Sequence, residues 1–499
     1  MGVRQLSGLD AEFLAMESDA VCGHFGTVTL LEGARALDLS RLRAHIDSRL
    51  HRVPVLRQRL MGVVFGLDQP YWVDDADFDV ARHVHEMSVP APGGTRELAD
   101  RIAELHAEHL DRALPLWQVY LFGDLADGRA AVYFKIHHAV MDGVGGSALI
   151  AAVFEDTEPD LSADSTDAAA LPASLADQPV ESGAELGADP DAPQWRPEPV
   201  PSHLDLISRS AWSITRTGLR SMRLGVQMMT RAPAVAQAVV RRLPATGSSD
   251  VATDAGVLPV RAPRTPFNAE ITPARACVLS EFPLAEVDRI RRGGAAGGAT
   301  VNDIVMALCA GALRRWLIEH EALPAVPLLA AVPVSERTAA QSDSFGNRLA
   351  LVRSPLPTQL ADPLARLLAV REGMTTALQR HDNLTRGLVS DAAEYAPPVV
   401  AEAGWWLSSR VMRHVNAFNV MVANVRGPAG PLSLAGARVV GHHPVSVLVH
   451  GQGLNISVFG FADRLCWGLL ADPHLVADLH HLADLLREEL TVLRQATTT

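Results

Sequence analysis

Along the chain, apolar and polar positions fall into two stretches of mixed helix and strand pattern, with a long region of different character between them. In the first stretch, "HFGTVTLLEG" reads as a strand closed by a turn. "LDLSRLRAHIDSRLHRV" puts Leu42, Ile46 and Leu50 on one side of a helix. "RELADRIAELHAEHLDRAL" repeats the helical spacing with Ile102, Leu105 and Leu110. "WQVYLFGDL" and "RAAVYFKI" are strand patterns on either side of "ADG" turn chemistry. The second stretch predicts a helix opening in "GGATVNDIVMALCAGALRRWL", a buried strand "LLAAVPVS" and a strand "FNVMVANV" stopped by "RGP". A hairpin, "GLNISVFGF" then "RLCWGLLAD", follows. The expected organisation is an N-terminal α/β unit over residues 1–158, a linker over 159–204, a basic helical segment over 205–263 and a second α/β unit over 264–499. A cleft between two such units is the natural place for a site.

Charge sharpens this division. The net charge of −13 is nearly all located between Glu155 and Asp191, where eleven acids occur with no base. A solvated acidic segment argues against nucleic acid as a partner. From Leu206 to Ser249 there are instead seven arginines and no acid. On a helical wheel Arg209, Arg216, Arg220 and Arg223 fall within about 60° of one another, next to an apolar arc that includes Trp212. Such a helix can lie in an anionic membrane interface, or pack on its own protein with a solvated arginine face. No run reaches the ~18 apolar residues of a spanning helix, and the N-terminus carries acids where a signal peptide needs an apolar core. The expected location is therefore cytoplasmic, with any membrane contact peripheral. The four scattered cysteines read as reduced core thiols rather than a disulfide framework or a zinc site.

The chemistry concentrates in "YFKIHHAVMDGVGG". Successive side chains of a strand point to opposite faces, so His137 and His138 cannot both meet one cleft. His138 shares its parity with Phe134 and Ile136, and His137 shares its parity with Tyr133 and Lys135, the chain's single lysine. One imidazole is then available to substrate and the other is fixed inside the protein. Histidine suits removal of a proton from a hydroxyl near neutral pH. Asp142 is expected to hold the loop and Gly143 to permit its tight turn. No GxSxG elbow is present, which favours direct transfer over a serine acyl-enzyme. In "TVND", Thr300 and Asp303 have the spacing of a capping box, which leaves Asn302 open for a role at the site.

With these residues in view, the chain resembles the bacterial wax ester synthase/acyl-CoA:diacylglycerol acyltransferases. The likeness runs through "LSGLDAEFL", "PLW" at Pro115, Leu116 and Trp117, "HHAVMDG", "TPFN" ending at Asn268, "GATVNDIV", "VPVSER", "FGN" ending at Asn347, "NVRGP" and "PLSLAGARV". Arg426 stands where the family often has proline, and "TPFNA" replaces the commoner TPFNG; both departures lie outside the histidine motif. The resemblance implies an α/β fold of two chloramphenicol acetyltransferase-like subdomains with a substrate tunnel between them. It implies His138 as general base, deprotonating an acceptor hydroxyl for attack on an acyl-CoA thioester, with His137 and Asp142 in support. It further implies diacylglycerol or a long-chain alcohol as acceptor, no metal or prosthetic group, and Asn302 and Asp303 as active-site support. Pro115, Leu116, Trp117, Asn268 and Asn347 would shape the tunnel. Acceptors this apolar reside in membranes or lipid droplets, which gives the arginine-rich helix a purpose. The alternative is a non-catalytic lipid-binding or droplet-surface protein that keeps the fold, although binding alone has no need of a base. A third reading, a peptide- or polyketide-condensing enzyme, lacks a carrier-protein module.

Overall fold

The computed structural model describes residues 3–140, 153–156, 195–210, 261–335, 349–384 and 416–498, apart from 35–36, 64–67, 203 and 429. Most of the acidic linker and most of the basic segment, including Trp212, Arg216, Arg220 and Arg223, lie outside the described residues, as do Asp142, Gly143 and Asn347.

The first part of the chain runs through Arg4–Gln5 (β1), Gly8–Ala15 (α1), His24–Glu32 (β2), Leu39–Arg49 (α2), Gln58–Met61 (β3) and Tyr71–Asp74 (β4). It continues with Val84–Met87 (β5), Thr95–Ala107 (α3), Trp117–Phe122 (β6), Ala130–His137 (β7) and Glu155–Asp156 (β8). The second part contains Ala276–Pro283 (β9), Leu284–Arg292 (α4), Val301–Glu319 (α5), Leu328–Ser335 (β10), Leu349–Leu356 (β11) and Pro363–Leu384 (α6). Val420–Arg426 (β12), Leu432–Leu434 (β13), Ala437–Val445 (β14), Leu454–Phe461 (β15), Arg464–Ala471 (β16) and Leu479–Thr498 (α7) complete it.

Two mixed sheets dominate the described residues. The first has the order β5-β6-β7-β2-β14-β13-β8 and the second β11-β10-β12-β15-β16-β9, with a small sheet β1-β4-β3 beside them. Strand β7 sits between β2 and β6, and every residue of it is buried, which explains its unbroken apolar pattern. Helix α3 turns Leu98, Ile102 and Leu105 inward, and the Glu97 carboxylate accepts from the Gly94 N–H at its start. In α2, Leu42 and Ile46 are fully buried, as their spacing predicts.

Helices α5, α6 and α7 share one large core with the second sheet, built around Trp316 and Trp467. Helix α5 is buried along nearly its whole length, from Asp303 to Leu313. Among these helices the Arg366 guanidinium meets the Glu489 carboxylate at 2.7 Å, both side chains being at most 6% exposed. Gly311 makes room for that pair, since a Cβ there would lie 2.0 Å from Glu489 Oε2.

The two sheets are tied together by a crossing of the chain. Strands β13 and β14 come from the C-terminal part yet complete the first sheet, β14 pairing antiparallel with β2 and placing His442 opposite Thr29. Strand β14 also rests on β16 of the second sheet, so closely that a Cβ on Gly468 would stand 1.7 Å from the Pro444 carbonyl oxygen. One apolar core lies to each side of this contact. The first joins Val132, Phe134 and Ile136 to Phe459, Phe461 and Cys466. The second joins Tyr133 and α3 to Cys277, Leu279 and Leu470. Beside the contact, His443 Nε2 lies 3.2 Å from Glu281 Oε1, and Arg464 holds the other Glu281 oxygen at 2.8 Å. Cys466 lies close to Glu281 and His443, but the carboxylate is already held by His443 and Arg464, and all four cysteines are buried free thiols.

Candidate active site

The site is built where β7 ends. His137 is its last residue, paired across from His24, and its N–H donates to the Leu116 carbonyl at 3.0 Å. The next N–H, of His138, leaves the β6 side and donates to the Gly23 carbonyl at 2.9 Å. Neighbouring histidines are thereby committed to opposite sides of the first sheet.

His137 faces inward and is 1% exposed. Its Nδ1 accepts from the Ala139 N–H at 3.0 Å, which leaves the ring proton on Nε2, 3.2 Å from Glu17 Oε1. The Glu17 carboxylate accepts in addition from the Gly23 N–H at 3.0 Å and from Arg112, whose NH2 group lies 2.6 Å from Oε2. Burial by itself would push the Glu17 carboxyl up. Its hydrogen bond and attraction to His137, with the hydrogen bonds from Arg112 and Gly23, outweigh that and bring it down to about 2. Glu17 is an anion throughout the physiological range.

His138 sits on the other side, between aromatic rings. Phe13 of α1 stacks on it at 4.7 Å between centroids and 17° between planes, and Phe25 of β2 tilts against it at 4.6 Å. Burial first, and His137 second, bring this imidazole down to about 3. It is therefore neutral near pH 7.

The sequence stretches singled out earlier converge here in part. "PLW" backs the histidines: Leu116 supplies the carbonyl to His137, and Trp117 packs fully buried with its Nε1–H on the Leu56 carbonyl at 2.7 Å and its face on His83. Pro115 is buried beside them. "LSGLDAEFL" forms α1, capped by Ser7, and delivers Phe13. Asn268 belongs to a knot in the second part of the chain, donating to the Asn419 and Gly451 carbonyls while its Oδ1 accepts from Thr265 and Asn419. Asp303 and Thr300 bond reciprocally at the start of α5, at 2.8 and 3.1 Å. Asn302 is half-buried next to them. Arg209 is exposed on the short helical turn 204–210. Glu17, Arg112, Gly23, Phe13 and Phe25 were not among the expected site residues. The spacing of Phe13 and Glu17, four apart on and just after α1, is the signal that links them.

Comparison with known proteins gives the family. A family model described as the wax ester synthase/diacylglycerol acyltransferase catalytic domain matches residues 6–305, and the corresponding C-terminal domain matches 345–494. An O-acyltransferase of Acinetobacter baylyi, named WSD, is 30% identical over 98% of this chain and 96% of its own. A Mycobacterium tuberculosis protein provisionally assigned as a diacylglycerol O-acyltransferase is 32% identical over 97% of this chain and 98% of that one. Among solved structures, the wax ester synthase/diacylglycerol acyltransferase of Marinobacter aquaeolei covers 99% of this chain and 100% of its own with TM-score 0.66 and 25% identity. The first condensation domain of the CDA synthetase shares the fold at 16% identity, covering 99% of this chain and 96% of its own with TM-score 0.53.

Proposed function

This chain belongs to the wax ester synthase/diacylglycerol acyltransferase family, and we propose that it transfers a long-chain acyl group from acyl-CoA to diacylglycerol, with long-chain alcohols as a second class of acceptor. That it is an acyltransferase follows from the family; the acceptor and the roles of its residues are our reading.

His138 is the general base in this scheme. Its neutral nitrogen takes the proton of the acceptor hydroxyl as the oxygen attacks the thioester carbonyl. The tetrahedral oxyanion then collapses, the C–S bond breaks, and the departing thiolate recovers the proton from His138 to leave coenzyme A and the ester. The observation that carries this reading is the division of labour between adjacent imidazoles. His137 has both ring nitrogens committed inside the protein, while His138 is held neutral between two aromatic faces. An imidazolium formed in these surroundings is disfavoured, which drives the proton onward to the leaving group instead of storing it. The acyltransferase chamber is assigned to the junction of the 1–158 and 264–499 units, with Pro115, Leu116 and Trp117 as its rigid backing and Asn302 and Asn347 as residues that shape it.

His138→Ala is expected to lower coenzyme A release from palmitoyl-CoA and diacylglycerol by about 10²- to 10⁴-fold, with circular dichroism unchanged. Full activity in that variant removes His138 as base. Failure of the wild type to release thiol with any alcohol tried favours the non-catalytic lipid-binding alternative.

The acceptor's insolubility places the enzyme at a membrane or droplet surface. Among the described residues no helix is long and apolar enough to cross a membrane. The turn 204–210 exposes Leu204 by 77% together with Ile207 and Arg209, at the entrance to the arginine-rich segment. Replacing Arg216, Arg220 and Arg223 with Glu is expected to abolish flotation with anionic vesicles; unchanged flotation assigns that segment to self-packing.

A further inference from the structure

The residues around His137 carry an inference of their own, which rests on the reading of His138 as base. We propose that Glu17 is a positioning residue for the reaction, locking the His137 ring and with it the turn that aims His138.

Three connections support it. The Glu17 Oε1 atom receives both the His137 Nε2–H at 3.2 Å and the Gly23 N–H at 3.0 Å, and the carbonyl of that same Gly23 receives the His138 N–H at 2.9 Å. The carboxylate thus holds His137 directly and reaches the His138 backbone through Gly23. On its far side, His137 Nδ1 accepts the Ala139 N–H at 3.0 Å, so the ring bridges Glu17 to the backbone immediately after His138. Only the tautomer with its proton on Nε2 serves both partners, and an acceptor at Glu17 selects it. The third connection is α1 itself. Arg112 donates to the Leu14 carbonyl at 2.7 Å and to Glu17 Oε2, fixing the end of the helix that presents Phe13 to the His138 ring.

The packing leaves little tolerance. A Cβ on Gly23 would lie 2.5 Å from His137 Nε2 and 2.8 Å from the Phe13 carbonyl oxygen. Arg112, which holds Oε2, is half-exposed, so the carboxylate's outer oxygen can rearrange, while Oε1, held by His137 and Gly23 with His109 Nδ1 3.6 Å away, cannot. Glu17 touches no reacting atom in this scheme. It acts through His137.

The test compares E17A, E17Q and H138A in the full-length protein. E17A is expected to lower kcat by roughly 10- to 100-fold with little change in KM for palmitoyl-CoA, as displacement of a reacting group by an ångström does. E17Q is expected to recover most of that loss. Its amide oxygen can keep the two inner hydrogen bonds, while Arg112 keeps its bond to the Leu14 carbonyl. NMR of protein labelled with ¹⁵N-histidine supplies a readout that does not require turnover: His137 should show a single tautomer, protonated at Nε2, in the wild type and E17Q, and mixed tautomers in E17A. A kcat for E17A within twofold of wild type, or an unchanged His137 tautomer, overturns the proposal. Should E17A fail to fold, E17Q decides alone, and loss of either its activity or the single tautomer counts against the proposal. H138A separates the two readings: if it remains active the base assignment fails, whereas the tautomer result stands by itself.

Discussion

At the scale of single residues, the site turns on how a strand ends. A glycine at position 23 lets α1, β2 and the histidine turn meet at one point, since a Cβ there would collide with the His137 ring and the Phe13 carbonyl. Gly23→Ala is expected to cost about 1–3 kcal/mol in urea denaturation through overpacking, and to lower thiol release by more than the stability loss explains. A variant with wild-type turnover would show that the turn relaxes freely. The opposed orientations of His137 and His138 were readable from strand parity alone, because a period of two is a local property. Their partners were not. Glu17 precedes His137 by 120 positions, and Arg112 is in the segment between α3 and β6. Nothing in the pattern of a single chain announces that a glutamate just past a short helix will meet a histidine at the end of a distant strand.

At the scale of elements, the helical layer over the second sheet depends on a buried ion pair. Glu489→Ala strands the Arg366 guanidinium among apolar helices and is expected to destabilise the protein by about 3–5 kcal/mol, measured by urea denaturation. Replacing both partners, Arg366→Met with Glu489→Leu, should cost far less; equal losses for the single and double variants would mean that the pair itself supplies the stability. Asp303→Ala, which breaks the reciprocal cap of α5, is expected to cost about 1 kcal/mol. Most of these elements could be read from the chain. "LLAAVPVS" is β10, the hairpin is β15 and β16, and α5 starts after Thr300 as its cap predicts. The path of "PLSLAGARV" was not legible, since β14 pairs with β2 some four hundred positions earlier and β13 with β8 at Glu155 and Asp156, and alternation does not name a partner.

At the scale of the whole molecule, buried imidazoles set the response to acid. Burial holds His106, His138 and His442 at about 3 in the folded protein, against the usual 6.5 of an unfolded chain. The unfolded state therefore binds more protons below pH 6.5. Stability is full above that value and falls as the pH drops from 6.5 towards 3, with the Glu17 anion adding a loss from about 4.5 to about 2. Thermal melts from pH 7.5 to 4.5 should show the midpoint declining well before ordinary carboxylates titrate, less steeply in His442→Asn; a flat profile down to pH 5 contradicts these assignments. The two sheets are equally inseparable in the fold. Without β14, strand β2 is left with an open edge, so residues 1–260 alone are expected to aggregate or remain unfolded, as light scattering and circular dichroism would report. A ribosome faces the same difficulty in time. Between the end of β2 at Glu32 and the start of β14 at Ala437 it must add about 400 residues, some 20 to 80 s of elongation, during which the nascent edge has no mate and invites chaperones or other chains.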